Sequence, residues 1–294
     1  MNPAVPLITA GSVAPHWPVL HAPPQWRTID FISDLHLQAS EPATLQAWQN
    51  FMQTTRADAV FILGDLFEVW VGDDVLEANG INPDQAAGFE ACCAQILKAA
   101  SQRLAIFFIH GNRDFLLGPT CAAACGMTLL NDPCALDFAG QRWLLSHGDA
   151  LCLMDTDYLQ FRTQVRSPQW QQEFLAKPLS ERQAIARSLR LQSETRKRSG
   201  ATYADVDAQA ACDCLHTAQA HTLIHGHTHQ PADHELSCGQ AQGRAEQLRR
   251  IVLSDWDASA TPARTEVLRL SVAAEGRPLQ RMTSTQASSR PFKD

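Results

Sequence analysis

The sequence predicts an α/β fold whose ligand site lies beyond the carboxyl ends of a largely parallel sheet. Three observations carry this reading. Short runs rich in β-branched and aromatic residues alternate with stretches of helical spacing. Five of those runs end in clusters of ligand-type residues, where open α/β sheets place their sites. The chain, at 294 residues with 45% hydrophobic and 19% charged content, is long enough to bury a sizeable core.

Residues 1–26 carry six prolines at no fixed period and read as a loose extension ahead of the domain. They lack the basic start and apolar middle of a signal peptide. No apolar stretch approaches the roughly 20 residues that span a bilayer, so a cytoplasmic protein is expected. "TIDFISDLHL" then carries Ile29, Phe31 and Ile32 into Asp34 and His36. "PATLQAWQNFMQTT" spaces Leu45, Trp48 and Phe51 or Met52 as one helix face. "AVFILGDLFE" runs from Ala59 to Leu63 into Gly64 and Asp65, and Phe89, Cys92 or Cys93, Ile96 and Leu97 make a second helical stripe. "LAIFFIHGNRD" delivers Gly111, Asn112, Arg113 and Asp114, and "RWLLSHGD" delivers His147 and Gly148. The fifth cluster is "HTLIHGHTHQP", residues 221–231.

"IVLSDWD" and "TEVLRLSV", after Arg249, read as two further strands, and residues 282–294 as a disordered tail. The main domain is therefore expected over 27–281, with a helical insertion at about 155–215. Within it Pro178 separates two helical pieces, and Ser180 with Gln183 fits a capping box. Repeats and low-complexity tracts are absent.

Nine cysteines include no C-x-x-C pair, which argues against a zinc ribbon or a thioredoxin-type site; most are expected as small core residues. A net charge of −7 argues against nucleic acid as a partner. The charge is uneven: between Arg162 and Arg198 nine Lys or Arg stand against three Glu.

Neutral imidazole is the commonest protein metal ligand, and His227 and His229 follow a strand directly. Asp34 and His36 can serve one ion, Asp65 can bridge, Asn112 and His147 can serve a second, and His227 and His229 complete the pair. This mixture of carboxylate, amide and imidazole suits manganese, zinc or iron better than calcium. Two such ions lower the pKa of a bound water toward about 7 and clamp an in-line phosphoryl displacement. A non-catalytic metal store is the rival from another class, and it favours ligands more anionic than Asn112. His225 reads as support for the turn or for a ligand, Glu68, Asp73 and Asp74 as loop groups and supports of ligands but not ligands themselves, and His16, His21, His216 and His221 as surface residues.

The ordered set D-x-H, G-D, G-N, H-G and G-H-x-H resembles the calcineurin-like metallophosphoesterases. That resemblance implies a four-layer α/β/β/α metallophosphoesterase sandwich, with the helical insertion as a lid over the active site. It also assigns Asp34, His36, Asp65 and His229 to one ion and Asp65, Asn112, His147 and His227 to the other. Longer stretches, "FILGDLFEVWVGDD", "HGNRDFLLG", "SHGDALCLMDTDYLQFR", "IHGHTHQPADHEL" and "LSDWD", are similar to the UDP-2,3-diacylglucosamine diphosphatase family, over roughly residues 28–270. The likeness implies a hydrolase of lipid A biosynthesis that cuts UDP-2,3-diacylglucosamine into UMP and 2,3-diacylglucosamine 1-phosphate (lipid X). It implies two divalent ions, manganese preferred, activating a water that attacks the uridine-side phosphorus, and peripheral association with the cytoplasmic face of the inner membrane. By the same likeness Asp65, Asn112, Arg113 and His147 act in catalysis, and Asn112, Arg113, Asp155, Ser193, Lys197 and His227 contact substrate.

Arg113 stands where most of the wider family has histidine, and its fork suits a phosphate; Gln230 departs from the arginine common after the histidine motif. A nucleotide pyrophosphatase or a phosphatase is the rival on the same fold. The basic insertion, with apolar Trp170, Phe174, Leu175, Ile185 and Leu189, weighs against it because a soluble substrate needs no acyl groove.

Overall fold

A computed structural model describes residues 17–78, 88–198, 204–238, 240–241, 244–245, 247–272 and 278–289, with side chains described except at 192–198, 240–241 and 244–245. Its strands are β1 (Val19–His21), β2 (Thr28–Ile32), β3 (Ala59–Leu63), β4 (Ala105–Ile109), β5 (Thr128–Leu130), β6 (Cys134–Phe138) and β7 (Gln141–Leu145). They continue as β8 (Thr222–His225), β9 (Ala232–Leu236), the two-residue β10 (Gln240–Ala241) and β11 (Arg244–Ala245), β12 (Leu248–Val252), β13 (Glu266–Ser271) and β14 (Leu279–Thr283). The helices are α1 (Pro42–Thr54), α2 (Val75–Ala78), α3 (Phe89–Ala100), α4 (Pro119–Cys125), α5 (Thr156–Val165), α6 (Pro168–Leu175), α7 (Leu179–Arg198), α8 (Ala208–Ala218) and α9 (Ser284–Ser288).

Two six-stranded sheets form, in the orders β14-β13-β2-β3-β4-β5 and β1-β6-β7-β8-β12-β9. Strands β2 to β5 are mutually parallel, as the strand–helix alternation requires. Side-chain alternation then sorts the apolar residues. Ile29, Phe31, Phe61, Leu63, Phe107 and Ile109 point into the space between the sheets, where they meet Leu136, Trp143, Leu145, Ile224 and Ile251. Ile32, Val60, Ile62, Ile106 and Phe108 point the other way, onto Trp48, Phe51 and Met52 of α1 and Cys93 and Leu97 of α3. The outer face of the second sheet, through Leu144, Leu223 and Leu248, packs on Ala211, Cys212 and Leu215 of α8. The result is the four-layer α/β/β/α sandwich that the family resemblance implies.

The boundaries differ from expectation in four places. The described part of the 1–26 extension supplies β1, which pairs with β6 at a sheet edge; residues 1–16 lie outside the described residues. The insertion is α5 to α7, because α8 buries an apolar stripe against the second sheet and so belongs to the sandwich. Helix α7 begins at Leu179, so Ser180 lies in its first turn and does not precede it as a cap. Residues 282–289 are ordered: β14 pairs with β13, and α9 opens on a capping box formed by Thr283 and Gln286. That tail is held by Asp30, fully buried in β2, which accepts from Arg269 Nε at 2.7 Å and Nη2 at 2.8 Å, while the same Nη2 donates to the Ala287 carbonyl at 2.9 Å. Residues 290–294 lie outside the described residues.

Cys212 and Cys238 form a disulfide with their Cα atoms 5.6 Å apart, a correction to the small-core-residue reading for this pair. Packing of α8 beside the end of β9 brings them together across 26 positions of sequence. Cys93, Cys121, Cys125, Cys134 and Cys152 are buried, as that reading expects. Among the described residues no helix is long and apolar enough to cross a membrane.

Arg269→Ala removes one partner of a buried ion pair, and the expected cost is about 3 kcal/mol in denaturant unfolding. Trypsin cleavage after Arg281 should accelerate in that variant. Cleavage of the wild-type chain there at the rate of an unfolded tail would contradict the ordered β14–α9 segment.

Candidate metal centre and active site

Each ligand-type cluster sits where a strand ends and the chain turns sharply. Asp34, His36, Asp65, His227 and His229 all adopt positive φ, between 47° and 69°. For residues with a Cβ this left-handed conformation costs about 1 kcal/mol or more, and such strain concentrates at functional sites. Two glycines make the close approach possible. A Cβ on Gly111 would collide with the Asp65 side chain and backbone, and one on Gly226 with the side chains of Ser33 and Asp34.

The turns converge on one centre. Asp34 Oδ1, His36 Nε2 and His229 Nε2 form one group: His229 Nε2 lies 3.2 Å from the Asp34 oxygen and 3.3 Å from the His36 nitrogen. Asp34, Asp65 and His147 form a second group whose ligand atoms lie within 4.8 Å of one another. Asn112 Oδ1 joins that side, 3.0 Å from His147 Nε2 and 2.9 Å from His227 Nδ1. Asp34 belongs to both groups, and Asp65 Oδ2, in the second, lies 3.8 Å from His36 Nε2 and 3.9 Å from His147 Nε2, within reach of both. All seven residues expected as ligands are therefore brought together.

Hydrogen bonds to the remaining atoms hold these side chains. His147 Nδ1 donates to the Leu63 carbonyl at 2.8 Å, which turns Nε2 toward the centre. Asp34 Oδ2 accepts from Ser33 Oγ at 2.7 Å and from the His227 amide at 2.9 Å. Asp65 Oδ1 accepts from the Arg113 amide at 2.8 Å. The fully buried Asp114 accepts from the amides of Leu66 at 2.7 Å and Gly111 at 2.9 Å, which joins two of the ligand loops. His225 is fully buried with Nδ1 against the Gly226 carbonyl at 2.9 Å, in the supporting role expected for it.

The electrostatics fit a doubly charged guest. Burial opposes charge on Asp34, yet the hydrogen bond and charge of His229, with His147 and His36, hold its carboxyl well below the usual range. Burial alone would strip the proton from His147, but Asp65, Asp34 and Asp149 hold it, raising its pKa to about 9. Burial and the neighbouring His147 push His227 down to about 4. Buried carboxylates facing imidazole nitrogens and a neutral amide make a suitable donor set for divalent ions of the manganese, zinc or iron type.

The centre opens into a cavity of about 1150 Å³. Its wall combines polar His36, Asp65, Asn112, Arg113, His227 and His229 with apolar Trp70, Phe115, Phe161, Trp170, Phe174 and Leu189. Of the residues expected at the substrate, Asn112, Arg113, His227 and Asp155 line it, and Gln230 stands on its wall. Asp155 also caps α5, accepting from the Tyr158 amide at 3.2 Å. The side chains of Ser193 and Lys197 lie outside the described residues.

Much of the basic excess in the insertion is paired. Arg162 Nε donates to the fully buried Asp149 at 2.8 Å, and Arg166 Nη2 donates to the Gly111 carbonyl at 2.9 Å. Arg182, 2% exposed, pairs with Asp74 and donates to the Val71 carbonyl. Arg190 Nε lies 3.1 Å from Glu68. Asp73 ties down α4, accepting from the amides of Gly118 and Cys121, each at 2.8 Å.

Asp149 and Tyr158 escaped the sequence reading. Tyr158 donates to Asp149 Oδ2 at 2.5 Å, and its ring stacks on His227 with centroids 5.9 Å apart. Asp149 directly follows the H-G motif, and that adjacency was the available signal.

His147 and His36, whose carboxylate neighbours raise both above the ordinary imidazole range, can accept an ion only after losing a proton, so metal uptake should release protons at neutral pH. With the His147 pKa at about 9, affinity should rise as pH climbs toward that value and level off above it. Calorimetric titration of metal-free protein with manganese, in buffers of different ionisation heat, measures the release. Buffer-independent heats at pH 7 would contradict this account of His147 and His36.

The chain matches the calcineurin-like phosphoesterase family over residues 27–231. It is 44% identical over 241 residues to the UDP-2,3-diacylglucosamine hydrolase of Cellvibrio japonicus, a match covering 79% of this chain and 95% of that protein. With the UDP-2,3-diacylglucosamine hydrolase of Chromobacterium violaceum it shares 48% identity over 237 residues, covering 78% of this chain and 90% of the relative. That of Shewanella pealeana is 41% identical over 230 residues, covering 77% and 89% respectively. The two lines of likeness converge with the site geometry: this chain belongs to the calcineurin-like phosphoesterases and, within them, to the family of the UDP-2,3-diacylglucosamine hydrolases.

Proposed function

We propose that this protein hydrolyses the pyrophosphate of UDP-2,3-diacylglucosamine, releasing UMP and 2,3-diacylglucosamine 1-phosphate for lipid A synthesis. The observation that carries the reading is one cavity whose wall combines a metal-type donor set with a large apolar lining. A substrate with a pyrophosphate and two acyl chains needs both features of such a cavity. A nucleotide pyrophosphatase acting on a soluble substrate needs only the first. The curated relatives are named for this same substrate.

In this reading Asp34, His36, Asp65 and His229 would hold one divalent ion and Asp65, Asn112, His147 and His227 the other, with manganese as the metal. Two such ions supply Lewis-acid charge for the phosphates and lower the pKa of a bound water toward about 7. Asn112, as a neutral ligand, limits the negative charge facing the phosphates. Arg113 presents a partly exposed guanidinium on the cavity wall, while its own amide fixes Asp65. Tyr158, anchored on Asp149, keeps the His227 ring in place by stacking. Water adds to the uridine-side phosphorus as the bond from that phosphorus to the bridging oxygen breaks. The bridging oxygen leaves with the sugar phosphate, and the water's oxygen stays in UMP.

Access from the cytoplasmic face of the inner membrane, as a peripheral protein, completes the proposal. Met154, Phe161 and Leu189 line the cavity and are 82%, 38% and 39% exposed, so the apolar lining reaches the surface. Arg190, paired with Glu68, belongs to the site wall.

Three outcomes are expected. In heavy-oxygen water the label should appear in UMP; label in the sugar phosphate would reverse the orientation of the substrate. Each buried methylene contributes about 0.8 kcal/mol, so deacylated substrate should be captured more weakly by several orders of magnitude. Replacing Met154 and Phe161 by serine should weaken binding to anionic vesicles and raise KM while metal content is unchanged. Equal turnover of acylated and deacylated substrates would leave only a general phosphoesterase.

A further inference from the structure

Glu68 stands three residues beyond Asp65, and its side chain is only 12% exposed. Its two oxygens face different neighbours. Oε2 lies 3.0 Å from His36 Nδ1, at ion-pair distance but off the line of an N–H hydrogen bond. Oε1 lies 3.1 Å from Arg190 Nε and 3.9 Å from Arg113 Nη1. The backbones of the two loops are joined as well: Leu37 bridges Phe67, and the Glu68 amide donates to the Leu37 carbonyl at 3.2 Å. Glu68 is thus fixed beside the imidazole it faces.

The other nitrogen of His36, Nε2, points at the centre, 3.3 Å from His229 Nε2 and 3.8 Å from Asp65 Oδ2. A carboxylate this close to one imidazole nitrogen favours the tautomer with the proton on that nitrogen, which leaves the opposite lone pair for a metal and makes it more basic. Burial opposes charge on Glu68, but His36, Arg113 and Arg190 hold its carboxyl below the ordinary range, so it remains an anion. On its far side Arg190 belongs to α7 of the insertion. Its Nη1 also donates to Gln38 Oε1 at 3.1 Å, two residues after His36. Arg190 therefore grips the His36 loop at two points, through Glu68 and through Gln38.

We propose that Glu68 is a positioning residue for the first metal site, and that through Arg190 the seating of α7 sets the affinity of that site. This rests on the reading of Asp34, His36, Asp65 and His229 as one ion's ligands. The physical content is a relay from Arg190 to Glu68, then to His36 and the ion. When α7 is seated, Glu68 is clamped and the His36 lone pair is aimed. When α7 lifts, Glu68 loses its nearest cation and His36 its fixed orientation. Linkage makes the effect reciprocal: an ion at the first site stabilises the seated insertion by the same factor. The lid and the metal centre are then one coupled device.

The test uses the full metal-stripped chain and manganese alone, without turnover. Equilibrium dialysis gives stoichiometry and affinity for wild type, Glu68→Ala, Arg190→Ala and the double variant. Glu68→Ala should weaken one of two sites by about 10–100-fold, the range for losing such an outer partner of a ligand. The second site and the thermal unfolding of the metal-free protein should hardly change. Arg190→Ala should weaken the same site by a smaller factor and add nothing in the Glu68→Ala background. Should Glu68→Ala fold poorly, the isosteric Glu68→Gln replaces it, with a smaller loss at the same site. Wild type binding two ions and Glu68→Ala binding them equally well would overturn the relay alone. So would an Arg190→Ala loss undiminished in the Glu68→Ala background. A wild-type chain that binds no manganese would overturn the metal-centre reading, and the relay with it.

Discussion

The position of the Asp65 carboxylate constrains everything around it. One oxygen is held by the Arg113 amide, and the other stands between His36 and His147 at almost equal distances. That placement demands a left-handed residue at the end of β3, a glycine at position 111 so that two loops can nearly touch, and the buried Asp114 to join them. None of these features stabilises the sandwich on its own account. Strained turns and buried carboxylates cost free energy, which the apolar layers between and outside the sheets must offset. The fold is a rigid frame around an arrangement that is unfavourable until a cation is present.

The insertion packs on the sandwich through Phe174, Trp170 and Ile185, and charge pairs beside that contact reach two of the ligand loops. Asp149 receives Tyr158, Arg162 and Arg166, and it follows His147 by two residues. Asp74 receives Arg182, and Glu68 receives Arg190. Three acidic residues on the sandwich therefore meet basic residues of α5 to α7 and the turn after α5. Charge pairs of this kind orient two elements more sharply than apolar contact does, because they require direction as well as proximity. The cavity forms between the two parts, with Trp170 and Phe174 of α6 stacked 4.7 Å apart on its wall.

The sheets and the ligand set were legible in the sequence because each strand ends where its chemistry begins. An apolar run followed by Gly-Asp, Gly-Asn or Gly-His-x-His marks both the strand and the turn in one stretch of residues. What the pattern hides is long-range pairing. The cations between Arg162 and Arg198 show in the sequence only as an excess of positive charge, because their partners Asp149, Asp74 and Glu68 lie elsewhere in the chain. Asp30 and Arg269 are a fully buried and a largely buried charge inside strands, and charge within a strand gives no sign of a partner, so the tail they anchor read as disordered. Helix α8 shares the amphipathic spacing of the insertion, and only the sheet it packs against separates the two. The disulfide partners gave no spacing signal either.

In the function proposed above, one carboxylate, Asp65, would serve two ions. Electron paramagnetic resonance of the manganese-loaded protein tests it most directly, compared with Asp65→Asn at equal metal content. Two manganese ions sharing Asp65 should give an exchange-coupled multiline spectrum in the wild type. In Asp65→Asn that spectrum should collapse to the six lines of isolated ions, with turnover lost. A coupled spectrum that survives the substitution, or a wild type showing only isolated ions at full activity, would contradict the account.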